Sequence, residues 1–599
     1  MSFISLTHLP PEATLSIVDY LSPSTERTTF YDTRERRQKE CELYHLNLSL
    51  IKSFELFQTF CHLTLSTIAL NLTSLTLGDL YRFDQLSYLI TNNPNLLSSF
   101  VNLSSMTIKN CLGKKSIISR LLNELKYLRK LIKLSIVFDE IQHNVLEWIH
   151  RILIRDDAIK LDQCLIKCEK VYMTVKNNEE ISCCCITKIT ECNSIRILDL
   201  DIFKIDDCYT LTKNLPFIEQ LIIHVLTPYI SYTTKNKHDL SSKKWEDDDS
   251  NNKYDINNDE INYESERVIP KYLIHFSLFA DDVPISYKEI ELFIQTLVNL
   301  KYLSLYATQL ETDEPIDGSS LEQDLLVYLP QIEQFKFDLR YKFDYYSLNI
   351  QKIQSTFKIN VLCFIINNIN NDYNYCLCSL PYSFQNFQMN TTDNQFDLIK
   401  WDTVEFLTID ASSVVVNQDI EKIFPNVKKL MLNGNIKKFP VEMTPLANID
   451  KIVFKSGTTI ADHISIEFPS NLTTLTIDFN LLLKMTNNFS NDNLQFVRHL
   501  TVNDYYVEEN SDKLLKYFST IETLIIQCEH DVSIKYCCRF VTTAILKLKM
   551  LFSLKMKFMI LNNEQNENIK AYIIKYLEKY KFKNIYYLHC DENFIKYWI

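Results

Sequence analysis

Apolar and polar positions alternate along this chain in one recurring motif. An apolar residue is followed by two variable positions and then by Leu-x-Leu, or its Ile, Val, Met or Phe equivalent. Clear copies are NLTSLTL (Asn71 to Leu77), NLKYLSL (Asn299 to Leu305), NVKKLML (Asn426 to Leu432), NLTTLTI (Asn471 to Ile477) and TIETLII (Thr520 to Ile526). Weaker copies read SIRILDL, FIEQLII, QIEQFKF, TVEFLTI, NIDKIVF, FVRHLTV and MLFSLKM. The central apolar position of the C-terminal copies runs Leu407, Leu430, Ile452, Leu475, Leu500, Leu524, in steps of 23, 22, 23, 25 and 24 residues. Leu198 and Leu221 are 23 apart, while Leu75, Met106 and Leu134 are spaced 31 and 28. A spacing of two places both residues of the Leu-x-Leu pair on one face of a short strand. Between copies, Ser116 to Leu131 and Asp512 to Phe518 carry apolar residues at spacings of three and four, which predicts helical return limbs. A turn is expected just past each strand, with Asn480, Thr308 or Cys111 bonding unpaired backbone groups; Ser412 and Tyr505 depart from that pattern.

One strand-and-helix unit cannot bury its apolar face alone, but stacked neighbours bury it in common. The period falls in or near the ~20–29 residue window of leucine-rich repeats. The predicted fold is therefore an α/β leucine-rich-repeat solenoid, a horseshoe whose parallel sheet lines the concave side. One solenoid replaces the roughly four globular domains that 599 residues would otherwise suggest. Two stretches interrupt the pattern. Thr227 to Val268 is rich in Asn, Asp and Lys, holds Trp245-Glu246-Asp247-Asp248-Asp249, and predicts a disordered acidic insertion. Asn367 to Asn394 also reads as a loop, with aromatics that suggest partial packing. The expected layout is a helical segment over 1–60, repeats over 61–226, the insertion over 227–268, and repeats with a C-terminal cap over 269–599. Phe594 to Ile599 are expected to fold back in that cap.

Composition narrows the chemistry. The chain has only five glycines, where average usage of roughly 7% would give about forty. No two lie closer than Gly434 and Gly457, so a glycine-rich phosphate loop and a G-x-S-x-G nucleophile elbow are both excluded. No H-E-x-x-H motif occurs, and Asp206-Asp207 and Asp281-Asp282 read as solvated loops rather than an acid/base pair. We expect no enzyme, no catalytic residue and no cofactor. A net charge of −12 disfavours a nucleic-acid partner. No run of about 18 uncharged apolar residues suggests a membrane span. Residues 1–15 lack a basic n-region, so the seventeen cysteines are expected to be reduced thiols of a cytoplasmic or nuclear protein. Seven of them lie between Cys164 and Cys208, including Cys183-Cys184-Cys185. Cys164 and Cys168 with that triplet make zinc conceivable, but small buried hydrophobes are the commoner reading; no metal ligand is assigned. Asn47, Asn71 and Asn102 open N-x-Ser/Thr tripeptides that we read as fortuitous.

The N-terminus carries one more motif. Leu9 to Leu21, LPPEATLSIVDYL, predicts a short amphipathic helix: proline suits its first turn, Glu12 suits its N-terminus, and Leu15, Val18 and Leu21 form the apolar face. Ser22-Pro23 ends it. With Leu9, Pro10, Glu12, Leu15, Ile17, Tyr20 and Leu21 in register, the segment resembles the opening helix of an F-box. Ala13, Thr14, Ser24 and Thr25 depart from that family, and the second half of the box is replaced by the charged run Thr25 to Cys41. The resemblance implies the substrate-recognition subunit of a cullin–RING ubiquitin ligase of the SCF type. Leu9, Pro10, Ile17 and Leu21 would touch the Skp-type adaptor of the cullin complex. The solenoid would hold a protein substrate through the side chains flanking the inward pairs: Lys429, Met431, Thr474, Thr476, His499, Thr501, Thr523 and Ile525. The alternative is a ligase-independent interaction scaffold whose N-terminus only caps the repeats.

Overall fold

The computed structural model describes most of residues 44–598; outside it lie 1–43, 143–159, 176–193, 233–269, 390–400, 411–422, 437–447, 504–514, 529–539, most of 559–586, and shorter connecting stretches. The first sheet holds β1 (Tyr44–Asn47), β2 (Leu72–Gly78), β3 (Ser105–Leu112), β4 (Lys133–Gln142), β5 (Gln163–Val175), β6 (Ile197–Ile202), β7 (Gln220–Val225), β8 (Tyr229–Tyr232), β9 (His275–Ser286), β10 (Tyr302–Glu311), β11 (Gln334–Lys342), β12 (Val361–Asn367) and β13 (Tyr373–Ser379). Its order is β1-β2-β3-β4-β5-β6-β7-β9-β10-β11-β13-β12, with β8 beside β5. Every pairing is parallel until β11, which meets β13 antiparallel, as β13 meets β12. The second sheet holds β14 (Asn386–Met389), β15 (Phe406–Asp410), β16 (Lys429–Asn433), β18 (Lys451–Phe454), β20 (Thr474–Asp478), β21 (His499–Asn503), β22 (Thr523–Cys528), β23 (Ser553–Phe558), β24 (Tyr587–Asp591) and β25 (Phe594–Trp598). It is parallel up to β23, and the antiparallel pair β25-β24 closes it. The small ribbon β17 (Asn435–Ile436) and β19 (Thr459–Ile460) lies apart.

The register follows the sequence repeat. Leu407, Leu430, Ile452, Leu475, Leu500 and Leu524 stand opposite one another across six strands. Leu75, Met106 and Leu134 do the same in the first sheet, as do Leu198 and Leu221. Each is buried, and the residues on either side of it mostly keep partial exposure. Helices pack behind: α1 (Phe54–Phe60), α2 (Gln85–Asn92), α3 (Lys115–Leu125), α4 (Asp206–Asn214), α5 (Tyr287–Ile294), α6 (Gly318–Asp324), α7 (Ile350–Ser355) and α8 (Phe479–Asn488). In α3, Ile118, Leu121, Leu122 and Leu125 are buried at helical spacing. Strands repeat every ~4.8 Å and helices need about 10 Å, so the sheet forms the inner side of the curve. This is a leucine-rich-repeat type of solenoid.

Successive repeats are tied where the chain leads into each strand. One carbonyl there accepts two N–H groups from the next repeat: Ile274 from Lys301 and Tyr302 (2.9 and 3.0 Å), Thr473 from Arg498 and His499 (2.8 and 2.9 Å). The asparagine that opens several copies adds a side-chain bond. Asn102, Asn299, Asn426 and Asn448 donate to the carbonyls of Leu70, Lys271, Asp402 and Pro425 at 2.6, 3.1, 2.7 and 2.9 Å. Charges at the same level pair between neighbours, as in Arg196–Glu219 (2.6 Å) and Lys301–Glu333 (2.8 Å).

Several expectations need correction. The sheet starts inside the predicted 1–60 segment, because β1 pairs with β2 and half-buried Leu46 stands opposite Leu75. Tyr229–Tyr232, assigned to the disordered insertion, pairs with Tyr172–Val175; the long β5 overhangs β6, and this aromatic, β-branched stretch covers its free edge. Residues 367–394 contain β13 and β14 rather than a loop, since Tyr375 to Ser379 are buried on both faces. Thr308 and Cys111 lie within strands, not turns, and α8 begins at Phe479, directly after β20. Cys164, Cys168 and Cys208 are buried in the hydrophobic core, while the cysteine triplet lies outside the described residues.

Candidate functional site

The two sheets meet where β11 hands over to β13. There the outward face of the first sheet is covered. Tyr306, Leu362, Cys376 and Cys378 join the second core together with Tyr382, Phe384, Phe387 and Trp401. Beneath them lies an ion pair on the outward side of β11. Arg340 Nε and Nη2 donate to Asp338 Oδ1 and Oδ2 at 3.2 and 3.1 Å, and both residues are buried. The Tyr382 hydroxyl also reaches Asp338 Oδ2 at 2.8 Å, and the Arg340 guanidinium lies 5.4 Å from the Phe387 ring centre. Burial pushes the Tyr382 hydroxyl well up, and Asp338 adds to that.

Beside this junction a cavity of about 480 Å³ opens on the strand side of the first sheet. Its aromatic wall is built in register. His224 stacks on Phe279 (4.8 Å, 10°), Phe279 meets Tyr306 at 6.3 Å, and Phe384 from the connecting segment closes over both at 6.3 and 5.6 Å. Its polar end is Asp199, which holds Lys167 Nζ at 3.0 Å through Oδ2. Asp199 Oδ1 lies 3.3 Å from His224 Nε2, but the two are not aligned as a hydrogen bond, so both atoms are buried without one. Ser383 Oγ, on the same cavity, is likewise buried without a hydrogen bond. Each such atom costs about 1–3 kcal/mol unless a ligand satisfies it. Asp281 keeps exposed surface, yet crowding around its carboxyl and the neighbouring Asp282 raise its pKa, against the opposing pull of Arg340. Asp201, one outward position beyond Asp199, is pushed up to about 7 by burial, although the Cys168 N–H bonds it and Lys167 is near. The wall and the polar end together suit a ligand that is partly apolar and carries both donors and acceptors.

The sequence-predicted substrate residues lie elsewhere, on the second sheet. Lys429, Thr474, His499 and Thr523 form one row across the strands, and Met431, Thr476, Thr501 and Ile525 form the next. Six of them are half-buried. Thr523 and Ile525 are only 3% and 5% exposed, because both faces of β22 are covered, and this removes them from the free surface. Leu9, Pro10, Ile17 and Leu21 lie outside the described residues. The cavity residues were not identified from the sequence. Their one visible signal was polar or aromatic residues at outward positions of the motif: Asp199 in SIRILDL, His224 after FIEQLII, and Tyr306 after NLKYLSL. Among the described residues no group of three or more His, Cys, Asp or Glu side chains is placed to hold a metal ion, and no helix is long and apolar enough to cross a membrane.

No protein-family model and no curated protein matches the chain. Among solved structures it is similar to TLR13 in a complex with ssRNA13 (12% identity, 81% of this chain and 60% of that one, TM-score 0.24). It is also similar to an internalin from Listeria monocytogenes (12% identity, 72% and 81%, TM-score 0.15) and to the mouse RP105/MD-1 complex (9% identity, 87% and 84%, TM-score 0.19). The chain thus spans 60% of the length of the TLR13 chain. These identities and TM-scores bear on neither partner nor activity, and the architecture rests on the strand register.

Proposed function

We propose that this protein is a recognition subunit whose strand faces hold a protein partner and whose N-terminal segment docks a Skp-type adaptor, bringing that partner to a cullin–RING ubiquitin ligase in the cytoplasm or nucleus. The observation that supports a binding role is the junction cavity, where three buried polar atoms without hydrogen bonds face an aromatic wall. The ligase connection is supported by the sequence from Leu9 to Leu21. By that F-box resemblance, Leu9, Pro10, Ile17 and Leu21 would supply the contacts to the adaptor. A repeat scaffold of this kind needs no catalytic group of its own, since the transfer chemistry belongs to its partners.

The test is co-elution of the purified full chain with a Skp-type adaptor, using Ile17→Asp as the control. A complex that disappears in Ile17→Asp is the expected result. No complex at micromolar concentration, from protein with a cooperative unfolding transition, refutes the adaptor role and leaves a ligase-independent scaffold.

A further inference from the structure

The second sheet carries a charge pattern that the first does not. Across its strands one outward row reads Phe406, Lys429, Lys451, Thr474, His499, Thr523. Lys429 and Lys451 stand directly opposite each other, an arrangement that like charges disfavour. Lys455, the next outward lysine beyond β18, is exposed. Among the described residues neither Lys451 nor Lys455 has an ion-pair partner. Cations one step away, leading into the strands, are treated differently: Lys428 pairs with Glu405 at 3.2 Å and Arg498 with Glu522 at 2.5 Å. Asp478, a carboxylate on this face, accepts the Gly457 N–H at 2.9 Å. Lys429 Nζ sits 3.8 Å from the centre of the Phe406 ring.

The adjoining outward row is of another kind: Thr408, Met431, Val453, Thr476, Thr501. Cations therefore line one side of a shallow track, and apolar groups and hydroxyls line the other. We propose that this face binds an extended acidic segment of a partner protein, its carboxylates over Lys429, Lys451 and Lys455 and its apolar side chains over Met431 and Val453. A single-stranded nucleic acid fits less well. Phe406 already lies under Lys429, so its ring is not free for base stacking.

This inference rests on the reading of the strand face as a protein-binding surface, and it is independent of the adaptor. The probe is a fluorescein-labelled nonapeptide alternating Glu and Val, titrated with the full chain by fluorescence anisotropy. A Lys–Val counterpart and a dodeca-uridylate serve as comparisons. The acidic peptide is expected to bind most tightly, and Lys451→Glu is expected to weaken it about tenfold or more. Lys160→Glu, at an exposed site away from the track, should leave it unchanged. Circular dichroism melting establishes that each variant is folded. Equal binding of the acidic and basic peptides overturns the proposal, as does a folded Lys451→Glu chain with unchanged affinity or tighter binding of the uridylate. Adaptor co-elution on the same preparations separates the two ideas. Adaptor bound without acidic peptide refutes only this inference, and acidic peptide bound without adaptor refutes only the ligase role.

Discussion

Removing one member of the buried pair at the sheet junction should cost far more than removing both. Arg340→Met deletes the two bonds to Asp338 and keeps an unbranched apolar stem beside Phe387. Asp338, fully buried, then retains the Tyr382 hydroxyl at 2.8 Å and loses its counter-charge. Breaking a buried pair in this way costs about 3–5 kcal/mol, whereas replacing both partners by apolar residues is often near neutral. Asp338→Leu/Arg340→Met should thus fall within about 1 kcal/mol of the parent. Trp401 packs against Tyr382 and Phe387 at 4.9 and 4.3 Å, so its fluorescence reports on this junction. With Trp148, Trp245 and Trp598 changed to Phe, urea unfolding can be followed at Trp401 alone. For a slope of about 3 kcal/mol per molar urea, a loss of about 4 kcal/mol lowers the midpoint by about 1.3 M. A single variant as mild as the double would refute this account of the junction.

Two further outcomes follow from local geometry. Asp201 has a folded-state pKa raised to about 7, so the stability its protonated form contributes is complete below the ordinary carboxylate range and is lost as pH rises through about 7. Asp201→Asn should flatten the melting temperature between about pH 5 and pH 8, and parallel profiles for the two proteins would rule this out. Gly78 has φ of 129°, and a Cβ there would lie 2.4 Å from the Lys109 carbonyl oxygen, whereas Gly457, at φ of 82°, has no atom within 4 Å. Gly457→Ala should cost about 1 kcal/mol and Gly78→Ala distinctly more, measured by chemical denaturation; equal costs would mean that β2 and β3 separate easily.

The strand rows were legible because the motif is a direct record of burial. A position that must be apolar in every repeat can be counted along the chain, and Leu407 through Leu524 emerged with their register intact. What could not be counted was whatever occurs once. The antiparallel pair β12-β13 lacks the motif spacing, because consecutive residues Leu362 and Cys363, and Tyr375 to Ser379, are buried and so show no alternation. The cavity draws on Lys167, Asp199, His224, Phe279 and Phe384, which the fold brings together from five separate segments. Asn102 lies in an N-x-Ser/Thr tripeptide that reads as fortuitous, and its side chain bonds the preceding repeat. Thr523 and Ile525 occupy the predicted outward rows, yet a periodic pattern gives no warning that both faces of β22 are covered.

The antiparallel seam also bears on how such a chain can change length. Parallel repeats hand a carbonyl to the next copy in the same way, so duplication or loss of one unit can keep that backbone bridge between the new neighbours. The seam is not interchangeable, because Asp338, Arg340, Tyr382 and Trp401 occur there as one matched set. Each sheet is therefore free to lengthen or shorten as a separate array, while the joint between them is inherited whole.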